Sequence, residues 1–569
     1  MKKNLPRLLA LCLALCLALA IPLGRVSAAE PEISTEGATS FVFSEDGITA
    51  QDGLYTAYQI KGTALTIQGA GTYLVSGSCS DGSIKIKKGT TGVTLILSGL
   101  DLTSQTTAPI ACNKSTGVTL VAAAGTVNTL ADTAANNDET CPDNADAENA
   151  VLKCKDGSQV LLCGTGELTI RANGKNGIKS GATTEEEGEA ALTIRDLTLT
   201  IEAPVNDGIN AEQSLSIESG RLSIAAADDG IHSDLSLKIG AADSEGPTID
   251  ITECCEGLEA ADLLIESGRI TVRSTDDCLN AANSDLSDYA FSLVIHGGSL
   301  DLFTTEGDGI DSNGDLTISG GVVVVWSKNR ADNQPLDADG TITLSGGVVL
   351  AGGTSAMGVR LVAEQPTVIF GSSQGGNPGE AGGAPPAGGP GEMGGNPPAG
   401  GPGDAGGNPP AGGPGEAGGD PPTGTPGEMG GDPPTGNPGE AGGTPPAGNP
   451  GAGESALTLP AGSTFAVRNA AGETLYEGTV PCEAVYLLYS APELEAGELY
   501  TLLLNGEEAA EALSVTGESN GRPSGQTVKN VNTATGAGIW LWVGLGVSAA
   551  LSLPAVLLLR RRDRRENRG

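Results

Sequence analysis

Large aromatic side chains are scarce in this chain, at 3% of its residues, and histidine occurs only twice. Phe, Trp and Tyr supply much of the bulk of a thick core. Gly (86) and Pro (33) instead fill about a fifth of the 569 residues, which suits thin, repetitive β-structure rather than several thick cores. His232 and His296 stand in unrelated contexts, which excludes a His-based triad or a zinc site. Positive charge is short as well: 31 Lys and Arg face 70 Asp and Glu, for a formal net charge of −39. That balance excludes nucleic acid or an anionic membrane surface as the natural partner. It suits cation binding, or anionic partners bridged by cations. Cysteine is too sparse for a disulfide scaffold. Cys12 and Cys16 fall in the leader, and nine of the 11 remain, an odd number that leaves at least one thiol unpaired.

What the chain does have begins at its ends. Lys2, Lys3 and Arg7 flank the apolar run 8–23, and Val26-Ser27-Ala28 offers small residues for cleavage, so residues 1–28 read as a signal peptide. The 23-residue apolar stretch 537–559 is followed by Arg560, Arg561, Arg562, Arg564 and Arg565. Its length spans a bilayer, and the arginines fix the tail 560–569 inside. The expectation is a single-pass protein on the extracellular face of the cell membrane.

Between these ends, the frame x-L-x-I-x-x-G-x-L-x-I recurs, as in residues 214–224. Its first apolar position returns at Leu192, Leu215, Leu237, Leu263, Leu293, Leu316 and Ile342, in steps of 23, 22, 26, 30, 23 and 26 residues. Two short strands and a turn in about 22 residues make one coil of a parallel β-helix. Period-2 alternation turns Leu and Ile inward and Ser, Thr, Arg and Asp outward. Residues 35–372 form this all-β domain. Residues 373–454 cycle every 12 residues around a Pro-Pro pair without glycine at each third place, which excludes collagen and reads as a disordered spacer. Alternation returns at 455–515 as a small β cap, and 516–536 is a polar linker. On this layout the spacer lifts the cap away from the helix.

A second element sits between the strand pairs: NGIKS (176–180), NDGINA (206–211), DDGIHSD (228–234), CEGLEA (255–260), DDCLNA (276–281), GDGIDSNGD (307–315) and a looser LDADG (336–340). Ile178, Ile209, Ile231, Leu258, Leu279 and Ile310 are its buried anchors. The preceding Gly suggests a tight turn at positive φ, and Cys278 in its place requires that turn to relax. The acids point outward, one rung above the next. On neighbouring rungs about 4.8 Å apart, two carboxylates repel by about 3.5 kcal/mol at an effective dielectric of 20. A ladder of Asp207, Asp229, Glu256, Asp277 and Asp308 accumulates that cost, and Ca²⁺ with its tolerance of irregular oxygen ligands removes it. Asp311-Ser312-Asn313-Gly314-Asp315 also has the look of a short Ca²⁺ loop. Solvated turn residues are the plain alternative for any single turn.

The repeat frame, the DDGIHSD and GDGIDSNG turns and the opening segment GTYLVSGSCSDGSIKI (71–86) resemble the clostridial carbohydrate-binding β-helix family over about residues 35–370. The resemblance implies a right-handed, single-stranded parallel β-helix related to pectate lyases. It also implies bound Ca²⁺ and affinity for pectic acid and cellulose-like glycans. The metal role then falls on Asp207, Asp228, Asp229, Asp234, Glu256, Glu259, Asp276, Asp277, Asp308, Asp311, Asn313, Asp315, Asp337 and Asp339. The C-terminal layout also resembles a Gram-positive cell-wall sorting signal at Asn532-Thr533-Ala534-Thr535-Gly536, without the usual Leu and Pro.

Three functions stay open on these residues. The first is Ca²⁺-dependent binding of acidic polysaccharide without catalysis. The second is a pectate-type lyase, which needs Ca²⁺ and a Lys or Arg base drawn from Lys179, Lys238, Arg269, Arg273, Lys328 or Arg330. The third is a structural stalk. Aromatic platforms for neutral sugars are few (Tyr289, Phe291, Phe303 and Trp326), which favours an acidic glycan over cellulose.

Overall fold

The computed structural model describes residues 34–182, 191–328, 333–354, 359–371 and 457–529. The leader, the Gly/Pro segment, the apolar span and the basic tail lie outside the described residues. Among the described residues no helix is long and apolar enough to cross a membrane, and all regular structure is strand.

The repeat positions stack as their spacing requires. Leu192, Leu215, Leu237, Leu263, Leu293, Leu316 and Ile342 pair with one another in that order through parallel ladders, and each is at most 1% exposed. Full burial of such a side chain contributes about 1.5–3 kcal/mol, and the columns make one continuous apolar interior.

Each coil has three strands rather than the two expected. The motif read as a turn is itself a short strand, as at Ile209–Ala211, Leu279–Ala281 and Ile310–Ser312. Its anchors Ile178, Ile209, Ile231, Leu258, Leu279 and Ile310 form their own parallel column. We call this the first face. Strands such as Leu192–Ile194 and Ser214–Ile217 make the second, and Thr198–Ala203 and Arg221–Ala226 the third.

Both ends of the stack are closed. A parallel coil leaves its last backbone groups unpaired, an invitation to edge-to-edge association. At the N-terminal end, Thr39–Ser44 pairs antiparallel with Gly47–Gln51 and parallel with Gly71–Cys79, and Phe41, Tyr58 and Tyr73 pack over the interior.

At the C-terminal end the cap is sewn into the helix, so the expectation that the spacer lifts it away is corrected. Tyr486–Ser490 lies antiparallel between Ile342–Gly353 and Leu361–Gly371. Gln365 Nε2 and Thr367 Oγ1 donate to Ser490 Oγ at 2.9 and 2.8 Å. The stretch assigned to a linker from 516 is also structured: Val515–Ser519 pairs with Leu361–Gly371, and Ser524–Val528 completes a five-stranded antiparallel sheet.

Trp326, weighed above as a sugar platform, is 4% exposed and meets the Phe465 ring edge-on at 5.9 Å in the core shared by helix and cap. Phe303 packs against the same core. Gly352 runs beneath the indole, where a Cβ would stand 2.3 Å from the ring. Among the described residues no disulfide joins the cysteines, of which seven are buried, so the interior rather than covalent bridging holds the coils.

Truncating Trp326 to Ala should cost about 3–5 kcal/mol of stability, measured as a lower urea midpoint. An unchanged midpoint would mean that the attachment of the cap does not depend on this ring.

Candidate metal centre

The first face carries two outward columns of side chains. One stands just before each anchor. Gly208 N–H bonds Asp229 O at 2.9 Å, Gly230 to Glu256 at 2.8 Å, Gly257 to Asp277 at 2.9 Å and Cys278 to Asp308 at 3.2 Å. Asp207, Asp229, Glu256, Asp277 and Asp308 therefore occupy successive rungs. The other column follows each anchor and runs Asn210, His232, Glu259, Asn280, Asp311. Asp337 succeeds Asp311, its N–H bonding Ile310 O at 2.8 Å.

The glycine of the motif is needed for a reason other than the one expected. Gly208, Gly230 and Gly257 are not among the residues with positive φ. A Cβ on each would instead lie 2.6, 2.8 or 2.3 Å from the carbonyl oxygen of the next rung. At Cys278 the relaxation is small. Its N–H···O contact lengthens to 3.2 Å, and the buried Sγ lies 3.2 Å from Ser274 Oγ.

Most rungs answer the repulsion between acids with a nearby donor. Asp207, 3% exposed, accepts the Asn210 amide at 2.7 Å and the Asp229 N–H at 3.3 Å. Glu256 accepts the Asn280 amide at 3.0 Å. Asp277 accepts the Asp308 N–H at 2.6 Å, and Asp308 accepts the Gln334 N–H. Burial followed by neighbouring charge still pushes these carboxyls up: Asp207 to about 6 beside Asp229, and Glu256 to about 8 beside Glu259. Burial is also the chief cause for Asp277 at about 8, Asp308 at about 7 and Asp311 at about 6.

Among the described residues two clusters have atoms close enough to share one ion: Asp229 with His232 and Glu259, and Asp308 with Asp311 and Asp337, each within 4.8 Å. They are chemically different. His232 Nδ1 meets Glu259 and lies 3.4 Å from Asp229, while Nε2 meets Asp234 at 2.8 Å. Burial alone would lower the imidazole pKa, but the hydrogen bonds to Asp229, Asp234 and Glu259 outweigh it and push it up to about 12. The ring is thus a cation already, with both nitrogens committed, and this cluster does not fit a hard metal ion. The second cluster is three carboxylates with no basic partner among the described residues, a donor set that fits a hard cation.

The other predicted ligands are not gathered into either cluster. Asp228, Asp276, Asn313 and Asp339 are exposed to solvent. Asp315 opens the second face, where it accepts the Thr341 N–H at 2.8 Å. The expected loop 311–315 is therefore divided between two faces. Sequence reasoning missed the role of His232. Its signal was there: aligned on their glycines, DDGIHSD and CEGLEA bring His232 over Glu259.

A family model described as a carbohydrate-binding domain-containing protein matches residues 61–349. A solved structure, the polysaccharide lyase-like protein from C. thermocellum as a gadolinium derivative, is 20% identical. That match covers 54% of this chain and 96% of that one, with a TM-score of 0.33. No curated protein matches.

Two outcomes follow from the charges. His232→Gln leaves Asp229 and Glu259 facing each other without a cation and should cost about 3 kcal/mol, read from urea denaturation at neutral pH. A loss under about 0.5 kcal/mol, the scale of an exposed pair, would remove the imidazolium from the account. Carboxyls raised to about 8 hold protons in the fold at pH values where the unfolded chain has released them. The folded state then binds more protons between about pH 4 and 8, so stability should fall as pH rises through that window in excess chelator. A melting temperature that rises over the same window would contradict these environments.

Proposed function

Because the chain belongs to the carbohydrate-binding domain-containing protein family, we propose that it binds acidic, pectin-like polysaccharide through Ca²⁺ held on the first face, without cleaving it. The observation that carries this reading is the cluster of Asp308, Asp311 and Asp337. Hard oxygen donors on an irregularly spaced ladder suit Ca²⁺, which takes six to eight oxygens and accepts irregular geometry. These carboxylates would hold the ion, and its remaining positions would go to uronate carboxylates of the glycan. Binding of this kind needs no aromatic platform, in keeping with Trp326 and Phe303 packing with the cap.

Non-catalytic binding is favoured over lyase chemistry by where the basic residues stand. Lys238 lies on the second face and Arg269 and Arg273 on the third. Arg273 is further tied to Asp301 at 3.1 Å and to two carbonyls. Lys179 shares the first face but is paired with Glu212 at 3.4 Å and stands five rungs, about 24 Å, from Asp311. Arg330 lies outside the described residues. The signal peptide and apolar span support display on the extracellular face of the membrane.

Titration of polygalacturonate into the full-length chain, with millimolar Ca²⁺ or excess chelator, tests this while absorbance follows unsaturated product. The expected result is binding with Ca²⁺ only and no product, with Asp308→Asn/Asp311→Asn losing at least about tenfold in Ca²⁺ affinity. Rising absorbance would make the protein a lyase. Silence in both conditions would leave a structural stalk.

A further inference from the structure

The column that ends in Asp311 and Asp337 begins with the opposite charge. Followed toward the N-terminus it reads Asn210, Lys179, Lys153, Ala111, Lys85, each paired with the next in parallel register. Lys153 and Lys179 therefore occupy consecutive rungs about 4.8 Å apart, in a chain whose net charge is −39.

The neighbouring lysines are each matched by an acid: Lys114 by Asp156, Lys155 by Glu148 at 2.7 Å and Lys175 by Glu139. Lys179 has, among the described residues, only Glu212, at 3.4 Å. Lys153 is half-buried, and its side chain makes no hydrogen bond or ion pair among the described residues. Asp156, the acid nearest it in sequence, is engaged by Lys114, and Glu148 by Lys155. Burial, then the adjacent Lys179, push the Lys153 amine down from its ordinary value, against the weaker pull of Glu212 and Glu148. Two ammonium groups thus stand on consecutive rungs with one ion-paired carboxylate, Glu212, between them among the described residues. This is the mirror image of the carboxylates at the other end of the same column.

We infer that the Lys153–Lys179 step is a direct carboxylate-binding subsite for a uronic-acid residue of the glycan, in line with the acidic cluster at the far end of the column. The inference rests on the proposed binding of acidic polysaccharide and names where a second point of contact lies. A polyuronate running along the first face meets ammonium groups at one end and the Ca²⁺-holding carboxylates at the other. Between them stand Asn210, the His232 imidazolium and Asn280, with Glu259 the one acid of the intervening column. From Lys153 to Asp311 is six rungs, about 29 Å, so an oligouronate must be several sugars long to engage both ends. A carboxylate between the two lysines takes a hydrogen bond from each, the charge-assisted kind that is stronger than a neutral pair.

The test uses the full-length chain with Ca²⁺ saturating, and compares octagalacturonate with trigalacturonate by calorimetry. Wild type should bind the octamer at least about tenfold more tightly than the trimer, the gain expected of joining two contacts on one ligand. Lys153→Met/Lys179→Met should lose that gain while keeping the wild-type Ca²⁺ affinity. Lys153→Arg/Lys179→Arg should keep it. The ligand-free melting temperature of the Met variant should be no lower than that of wild type, because a repulsion has been removed. Equal octamer binding by wild type and the Met variant would overturn the inference and leave the proposed function standing. So would a loss of Ca²⁺ affinity or a clearly lower melting temperature in that variant, since the lysines would then be structural. No octamer binding by wild type would defeat the proposed function, and the inference with it.

Discussion

The in-register hydrogen bonding of one coil onto the next is the constraint from which the rest follows. Rungs about 4.8 Å apart, paired residue on residue, place each side chain directly over its equivalent. For the interior this is favourable without limit: Leu192 covers Leu215, which covers Leu237, and every added coil extends the same apolar column. For a charged residue on the outside the same geometry is a liability, since repetition stacks like on like. The surface chemistry of this protein is a set of answers to that liability.

Different rungs answer differently. Asn210 and Asn280 place amide donors against Asp207 and Glu256. His232 supplies a full positive charge where Asp229, Asp234 and Glu259 converge. Asp308 and Asp337 have backbone N–H donors alone, and among the described residues no cation faces these two or Asp311, which is why the proposed Ca²⁺ belongs there rather than along the whole ladder. Lys153 and Lys179 pose the same problem with the sign reversed. A surface that gathers like charges at two ends of one column, with few counter-charges among the described residues, is well arranged for a partner that carries repeated charges of its own.

The ends of the stack show how a repetitive fold is made finite. The N-terminal hairpin and its aromatic residues cover one opening. The cap strand Tyr486–Ser490 enters the other between the last two coils, antiparallel to both. The stack is thus completed by a strand that follows Gly371 by more than a hundred residues in the sequence. With the cap fixed this way and Trp326 enclosed in the joint, the outer face of the coils is left as the surface available to a glycan.

The repeat, its inward columns and the acidic ladder were legible in the sequence, because a parallel coil repeats in the chain what it repeats in space. Leu192 to Ile342 could be placed from spacing alone, and so could the order of Asp207, Asp229, Glu256, Asp277 and Asp308. What the sequence could not determine is what lies across from each acid. That His232 meets Glu259, 27 residues on, as well as the local Asp229 and Asp234, that residues 311–315 divide between two faces, and that the Lys153 side chain has no partner among the described residues all depend on how one coil lies on the next. The return of the cap was hidden for the same reason: its pairing bridges more than a hundred residues, and no local pattern records it. Local periodicity set the coil, while only tertiary contact decided which of its charges are already matched and which remain free to bind.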